Sequence, residues 1–173
     1  MNMDDLKARI RNVPDFPKAG ILFYDITTLL QDRVGFRAAV DSLAAPFQDQ
    51  GIDVVVGIES RGFIFGAAVA DRISAGFTPV RKPGKLPSRT VRATYALEYG
   101  TDSLEMHDDA IRGGQRVLIV DDLLATGGTA GATTELVKRL GGEVHALAFL
   151  IELVALKGRE RLAGERVHTV LKY

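Results

Sequence analysis

Two adjacent carboxylates, Asp121 and Asp122, end an apolar run at 117–120. After Leu123 and Leu124 comes a Gly/Thr-rich turn, Ala125-Thr126-Gly127-Gly128-Thr129. Side by side, two carboxylates repel unless something cationic or hydroxylated joins them. A strand that opens into such a loop and then a helical pattern makes an anion cradle. Unpaired backbone N–H groups and the positive end of the helix dipole converge there. The loop suits a phosphate, and the acids suit a diol or a metal. A sugar phosphate offers both. A solvent-facing or capping acid pair is the plainer alternative, and the TGGT behind the pair weighs against it.

Three further groups have side chains fit for chemistry. Glu59-Ser60-Arg61-Gly62 follows a second apolar run at 54–58, although ESRG alone reads equally as a helix N-terminus with surface charges. Arg81, Lys82 and Lys85 cluster in RKPGKLP, which alone would be a solvated loop. Glu98 and Tyr99 sit in the alternating VRATYALEYG, where a glutamate is ordinarily the strand's solvent face. His107, standing alone, reads as structural. No GxxxxGK[ST] or strand-following GxGxxG occurs, so a P-loop or dinucleotide site is unsupported.

The elements that must position these groups alternate between strand and helix. A helix starts at Asp4 or Asp5 and puts Leu6, Ile10 and Val13 on one face. The loop PDFPKAG leads into ILFYDITTLL, and a second helix runs from about Asp32, cut short near Pro46. Strands are expected at 54–58, 77–81, 117–120, 144–151 and 167–171, with helices at about 63–74 and 129–140 and a short one in LKGRERLAG. VRATYALEYG and DSLEMH should form a hairpin turning at Gly100. The fold class is therefore α/β, with a mostly parallel central sheet, helices on both faces and a small hood or lid hairpin. Ligands of such sheets bind at the carboxyl ends of the strands, where both candidate loops lie.

The bulk properties set limits. At 173 residues the chain suits one domain, 46% hydrophobic and 25% charged. Lys+Arg 22 against Asp+Glu 22 gives no net charge, which suggests neither a nucleic-acid nor a membrane partner. With no cysteine, disulfides, thiolate metal sites and Cys nucleophiles are excluded. The charged N-terminus lacks a signal-peptide core, and no apolar run approaches a membrane span, so a cytoplasmic protein is expected.

The string hhhhDD-xx-ATGGT resembles the phosphoribosyl-pyrophosphate (PRPP) motif of the type I phosphoribosyltransferases. PDFPKAGILFYDITTLL, GIESRGFIFG, RKPGKLP and ATYALEYG narrow the resemblance to the adenine phosphoribosyltransferases, over about residues 13–154. The resemblance implies transfer of phosphoribose from PRPP to adenine, giving AMP and pyrophosphate. Asp121 and Asp122 would hold the ribose hydroxyls, and Ala125, Thr126, Gly127, Gly128 and Thr129 the 5′-phosphate. Ser60 and Arg61, in a loop often shaped by a strained peptide, would receive pyrophosphate together with Lys82 and Lys85. Leu22, Phe23 and Tyr24 would wall the adenine, with Phe23 stacking; many relatives carry Arg where this chain has Tyr24. Glu98 would be the catalytic acid/base on a lid, with Tyr99 packing on the closed site and Gly84 and Gly100 as hinges.

Also implied are Mg²⁺, held by PRPP and water rather than directly by side chains, and a homodimer, with Arg81 and His107 the candidates to act in a neighbouring subunit's site. Residues 1–32 form the base-binding arm and 82–107 the mobile lid. A 6-oxopurine phosphoribosyltransferase, or a PRPP-sensing regulator, are the alternative functions.

Overall fold

The computed structural model describes all 173 residues, Met1 to Tyr173. Its centre is a five-stranded sheet ordered β4-β3-β7-β8-β9, every pair parallel. The strands are β3 (Val54–Ile58), β4 (Gly76–Val80), β7 (Arg116–Leu124), β8 (Glu143–Glu152) and β9 (Val167–Lys172). The β-branched runs expected of strands covered on both faces form the middle of this sheet. On β7, Leu118 and Val120 join one buried cluster, while Val117 and Ile119 join the other. Helix α4 (Gly62–Arg72), with α3 (Arg33–Ala44), covers the first face through Phe65, Val69 and Leu43. Helix α5 (Gly128–Arg139) covers the second through Leu136 and Val137.

The chain leaves β3 through α4 to β4 on one side, and leaves β7 through α5 to β8 on the other. The strand order therefore reverses between β3 and β7, and a crevice opens beyond their carboxyl ends. The register deepens it. Val120 pairs with Gly57, the last pairing with β3, whereas β7 continues beside β8 to Leu124 opposite Glu152.

Two small antiparallel sheets flank this frame. In the arm, β1 (Arg11–Pro14) pairs with β2 (Leu22–Asp25), Val13 opposite Phe23. Here the structure corrects the expected first helix. Helix α1 spans only Met3–Lys7 and is capped by Asn2, whose side chain accepts from the Asp5 amide at 2.7 Å. Pro14 disfavours helical backbone at Val13, and β2 offers an extended partner. Helix α2 (Thr27–Gln31) follows. Asp32 caps α3, and the helix gives way at Ala44 to a 3-10 turn, Ala45–Phe47, that contains Pro46, as the sequence predicts.

The hood pairs β5 (Thr90–Ala96) with β6 (Thr101–His107) around a turn at 97–100, where Gly100 has φ +80°. Ala93, Leu104 and Met106 bury the hairpin stem in the second core cluster. Reciprocal bonds between Arg81 and Glu105 (2.9 and 2.7 Å) tie it to the end of β4. The short helix expected in LKGRERLAG is instead two 3-10 segments, Val154–Leu156 and Gly158–Leu162, divided at Lys157 with φ +53°.

Candidate active site

The crevice holds a cavity of about 310 Å³ lined by Glu59, Ser60, Arg61, Asp121, Asp122, Leu123, Ala125 and Thr129. Asp121 and Asp122 lie inside β7 rather than after it, because that strand outruns β3. Each is only 7% exposed. The Asp122 amide donates to Asp121 Oδ1 at 2.9 Å, and Arg61 Nε donates to Asp122 Oδ2 at 2.5 Å. Gly62 lets α4 close on this pair, since a Cβ there would lie 2.8 Å from Asp121 Oδ1. Burial, with the Asp122 charge beside it, pushes the Asp121 carboxyl well above the usual carboxylate range. A diol can relieve such a pair by donating hydrogen bonds to both acids.

Behind the acids the chain turns through Ala125 and Thr126 to Gly127, whose φ of +82° suits only glycine without strain, and enters α5 at Gly128. The turn rests on the Gly158–Leu162 segment: a Cβ on Gly127 would lie 2.5 Å from the Gly158 carbonyl oxygen, and one on Gly158 would lie 2.4 Å from that of Ala125. The free N–H groups of the first turn of α5 thus sit beside the buried acids. On the opposite wall, the Glu59–Ser60 peptide is cis, and Ser60 and Arg61 lead directly into α4.

A second cavity, of about 570 Å³, adjoins the first through Arg61 and is otherwise lined by Arg11, Val13, Phe16, Phe23 and Asp25. The Phe23 ring meets Phe16 edge-on at 5.1 Å, and the Arg61 guanidinium lies 5.6 Å from the Phe23 centroid. Arg11 grips Asp25 Oδ2 through Nε (2.9 Å) and Nη2 (2.6 Å). Strand alternation sends Tyr24 the other way, onto Tyr173 at 4.1 Å between centroids. Leu22 is exposed outside this cavity.

The remaining candidates stand farther off. Glu98 and Tyr99 lie beyond the end of β5, in the exposed turn rather than in the alternating strand, and Tyr99 is 85% exposed. Lys82 sends its backbone amide to Glu59 Oε2 at 2.6 Å but its ammonium to Asp102. Lys85 is exposed, and its carbonyl accepts from Arg81 at 3.3 Å. Arg81 pairs within its own chain with Glu59 at 3.4 Å, and His107 Nε2 lies 3.4 Å from the Ser88 amide.

Sequence reasoning missed Arg11, Val13, Phe16 and Asp25 as cavity walls, and Glu59 as the clasp between the two loops. The β1–β2 pairing brings the first four together, and the early helix expectation hid that pairing.

Comparison with known proteins agrees with this geometry. The phosphoribosyl transferase domain family model matches residues 28–168. The chain is 61% identical over 173 residues to the adenine phosphoribosyltransferase of Acidobacterium capsulatum, covering all of this chain and 96% of that one. Among solved structures, the adenine phosphoribosyltransferase of Rhodothermus marinus superposes with a TM-score of 0.94 at 58% identity, covering 99% of this chain and 98% of that one. That of Saccharomyces cerevisiae, complexed with adenine and an imino-altritol bisphosphate, gives 0.91 at 41% identity, with 97% of each chain covered. The chain belongs to the phosphoribosyltransferase family, on its adenine phosphoribosyltransferase branch.

Proposed function

We propose that this chain condenses adenine with PRPP to give AMP and pyrophosphate, in the crevice between β3 and β7. The observation that carries the proposal is the pair of cavities sharing Arg61, one with an aromatic wall and the other with two buried acids beside a helix N-terminus. Adenine lies against Phe23 in the first, with main-chain groups of Leu22 and Tyr24 reading its edge. The Tyr24 side chain points elsewhere, so tyrosine in place of arginine leaves the base wall intact. The base-binding arm is residues 1–32.

In the second cavity, Asp121 and Asp122 accept from the ribose 2′- and 3′-hydroxyls. Residues 125–129 cradle the 5′-phosphate through backbone N–H groups and the hydroxyls of Thr126 and Thr129. The bond from C1′ to the pyrophosphate oxygen breaks, N9 of adenine bonds to C1′, and the N9 proton passes to the carboxylate of Glu98. The developing charge on pyrophosphate is met by Ser60, Arg61, Lys82 and Lys85.

Mg²⁺ belongs to this proposal as an ion held by PRPP oxygens and water, since it keeps several waters and binds with substrate phosphates. When bound, Mg²⁺ disperses the charge of the leaving group. Residues 82–107 carry the lid, whose closure brings Glu98 and Tyr99 over the site and excludes water. The homodimer implied by the resemblance belongs to this proposal, and exposed Ile64 and Phe77 are apolar surface that it could cover.

A base panel with PRPP and Mg²⁺ tests the proposal. Adenine presents an amino donor at C6, where hypoxanthine and xanthine present an acceptor, so a pocket built for one mispairs with the other. Adenine is expected to exceed both in kcat/KM by at least about 100-fold. Comparable formation of a 6-oxopurine nucleotide would overturn the assignment of the base.

A further inference from the structure

Lys82 has its backbone at the phosphate cavity and its charge outside. The amide donates to Glu59, which lines the cavity, but the ammonium forms an ion pair with Asp102 of β6. The Tyr95 hydroxyl on β5 donates to the same Asp102 Oδ2 at 3.3 Å, and the Ser103 amide donates to Asp102 Oδ1 at 2.8 Å. Hydrogen bonds from Lys82 and then Ser103 hold the Asp102 carboxyl below the usual carboxylate range. The Tyr95 ring rests on the cradle, since a Cβ on Gly128 would lie 2.9 Å from its Cδ2. One aromatic side chain therefore touches the 5′-phosphate cradle with its ring and the lysine's anchor with its hydroxyl.

We infer that Asp102, oriented by Tyr95, is a positioning residue that parks Lys82 outside the site and competes with pyrophosphate for its ammonium. The inference deepens the proposed function and rests on Lys82 as a pyrophosphate ligand. The side chains of the pair keep 42% and 33% of their surface in water, and ion pairs so exposed are weak. A polyanion entering beside Arg61 can therefore draw the lysine across. Arg61 shows the same arrangement on the other wall, engaged by Asp122 until a ligand arrives. In both places a carboxylate orients the cation.

Calorimetric titration of pyrophosphate, with Mg²⁺ present, into the full chain tests the parking role. Asp102→Asn is nearly isosteric and retains an acceptor for the Ser103 amide. It is expected to tighten pyrophosphate binding about two- to fivefold, the span of an exposed ion pair, with adenine affinity unchanged. Tyr95→Phe keeps the ring on Gly128 and is expected to give a smaller shift in the same direction. In a Lys82→Ala background, Asp102→Asn should change nothing, which separates parking from the general loss of a negative charge. Weaker or unchanged binding by Asp102→Asn, or tightening that survives Lys82→Ala, overturns the inference. If Lys82→Ala alone binds pyrophosphate as the unaltered chain does, Lys82 is not a pyrophosphate ligand and the inference falls with that assignment.

Discussion

In the proposed reaction Glu98 carries the largest single demand, because it would have to take a proton from a base bound elsewhere while the proposed lid is open. In the turn at 97–100 its side chain is exposed. Closure over the site would strip water from it and bring it to the base. Glu98→Gln preserves shape and removes the capacity to take that proton, so kcat should fall by roughly 10²- to 10⁴-fold, the usual worth of general acid/base catalysis. Steady-state kinetics with adenine and PRPP check this; a near-normal kcat removes Glu98 from the mechanism. At this scale the sequence was informative about residue types and poor on facing. Asp121, Asp122 and the turn behind them were legible as one unit because they are neighbours in the chain, and they line one cavity. The seat of Tyr24 on Tyr173 and the grip of Arg61 on Asp122 join distant residues, and no local pattern encodes them.

Among elements, the proposed phosphate cradle depends on a segment that looks inert in the sequence. LKGRERLAG reads as a short helix, yet it folds as 3-10 turns, with Gly158 packed against the turn at 125–127. A Cβ on Gly158 would lie 2.4 Å from the Ala125 carbonyl oxygen, a backbone atom with no rotamer to yield. Gly158→Ala should therefore push residues 125–127 outward and cost about 1–3 kcal/mol, the range for overpacking a tight site. Denaturant unfolding measures that loss. The KM for PRPP should rise more than the KM for adenine, because the displaced turn belongs to the cradle and not to the Phe23 wall. Equal stability and unchanged PRPP KM would mean that the cradle does not need this seat. The strands of the central sheet were easy to read from their apolar runs, whereas their order is a property of the fold that no local pattern encodes. The arm was not easy to read, because helical spacing of Leu6, Ile10 and Val13 mimicked one long helix while Pro14 and the β2 partner enforced a strand.

For the molecule as a whole, the lid is more firmly built in than a polar, Pro/Gly-rich approach suggests. The stem of the β5–β6 hairpin contributes Ala93, Leu104 and Met106 to the same cluster as Val56, Ile119 and Phe149 of the central sheet. Swinging all of 82–107 as a rigid flap would pull those side chains out of the core, at roughly 1.5–3 kcal/mol for each large one exposed. The turn at 97–100 faces no such cost. It is exposed throughout, and one backbone bond, from Leu97 to Gly100 at 3.0 Å, spans it. Closure should therefore be a movement of the tip over a fixed stem. Hydrogen exchange resolves the two: PRPP with Mg²⁺ should protect the amides of Glu98, Tyr99 and Gly100 while those of Ala93, Leu104 and Met106, buried already, change little. Protection spreading through the stem would indicate a whole-hairpin motion coupled to the core. Protection absent at the tip would mean that Glu98 has no route to the base, and the proton would have to leave by another group. The stem's burial thus confines the expected movement to four residues of turn.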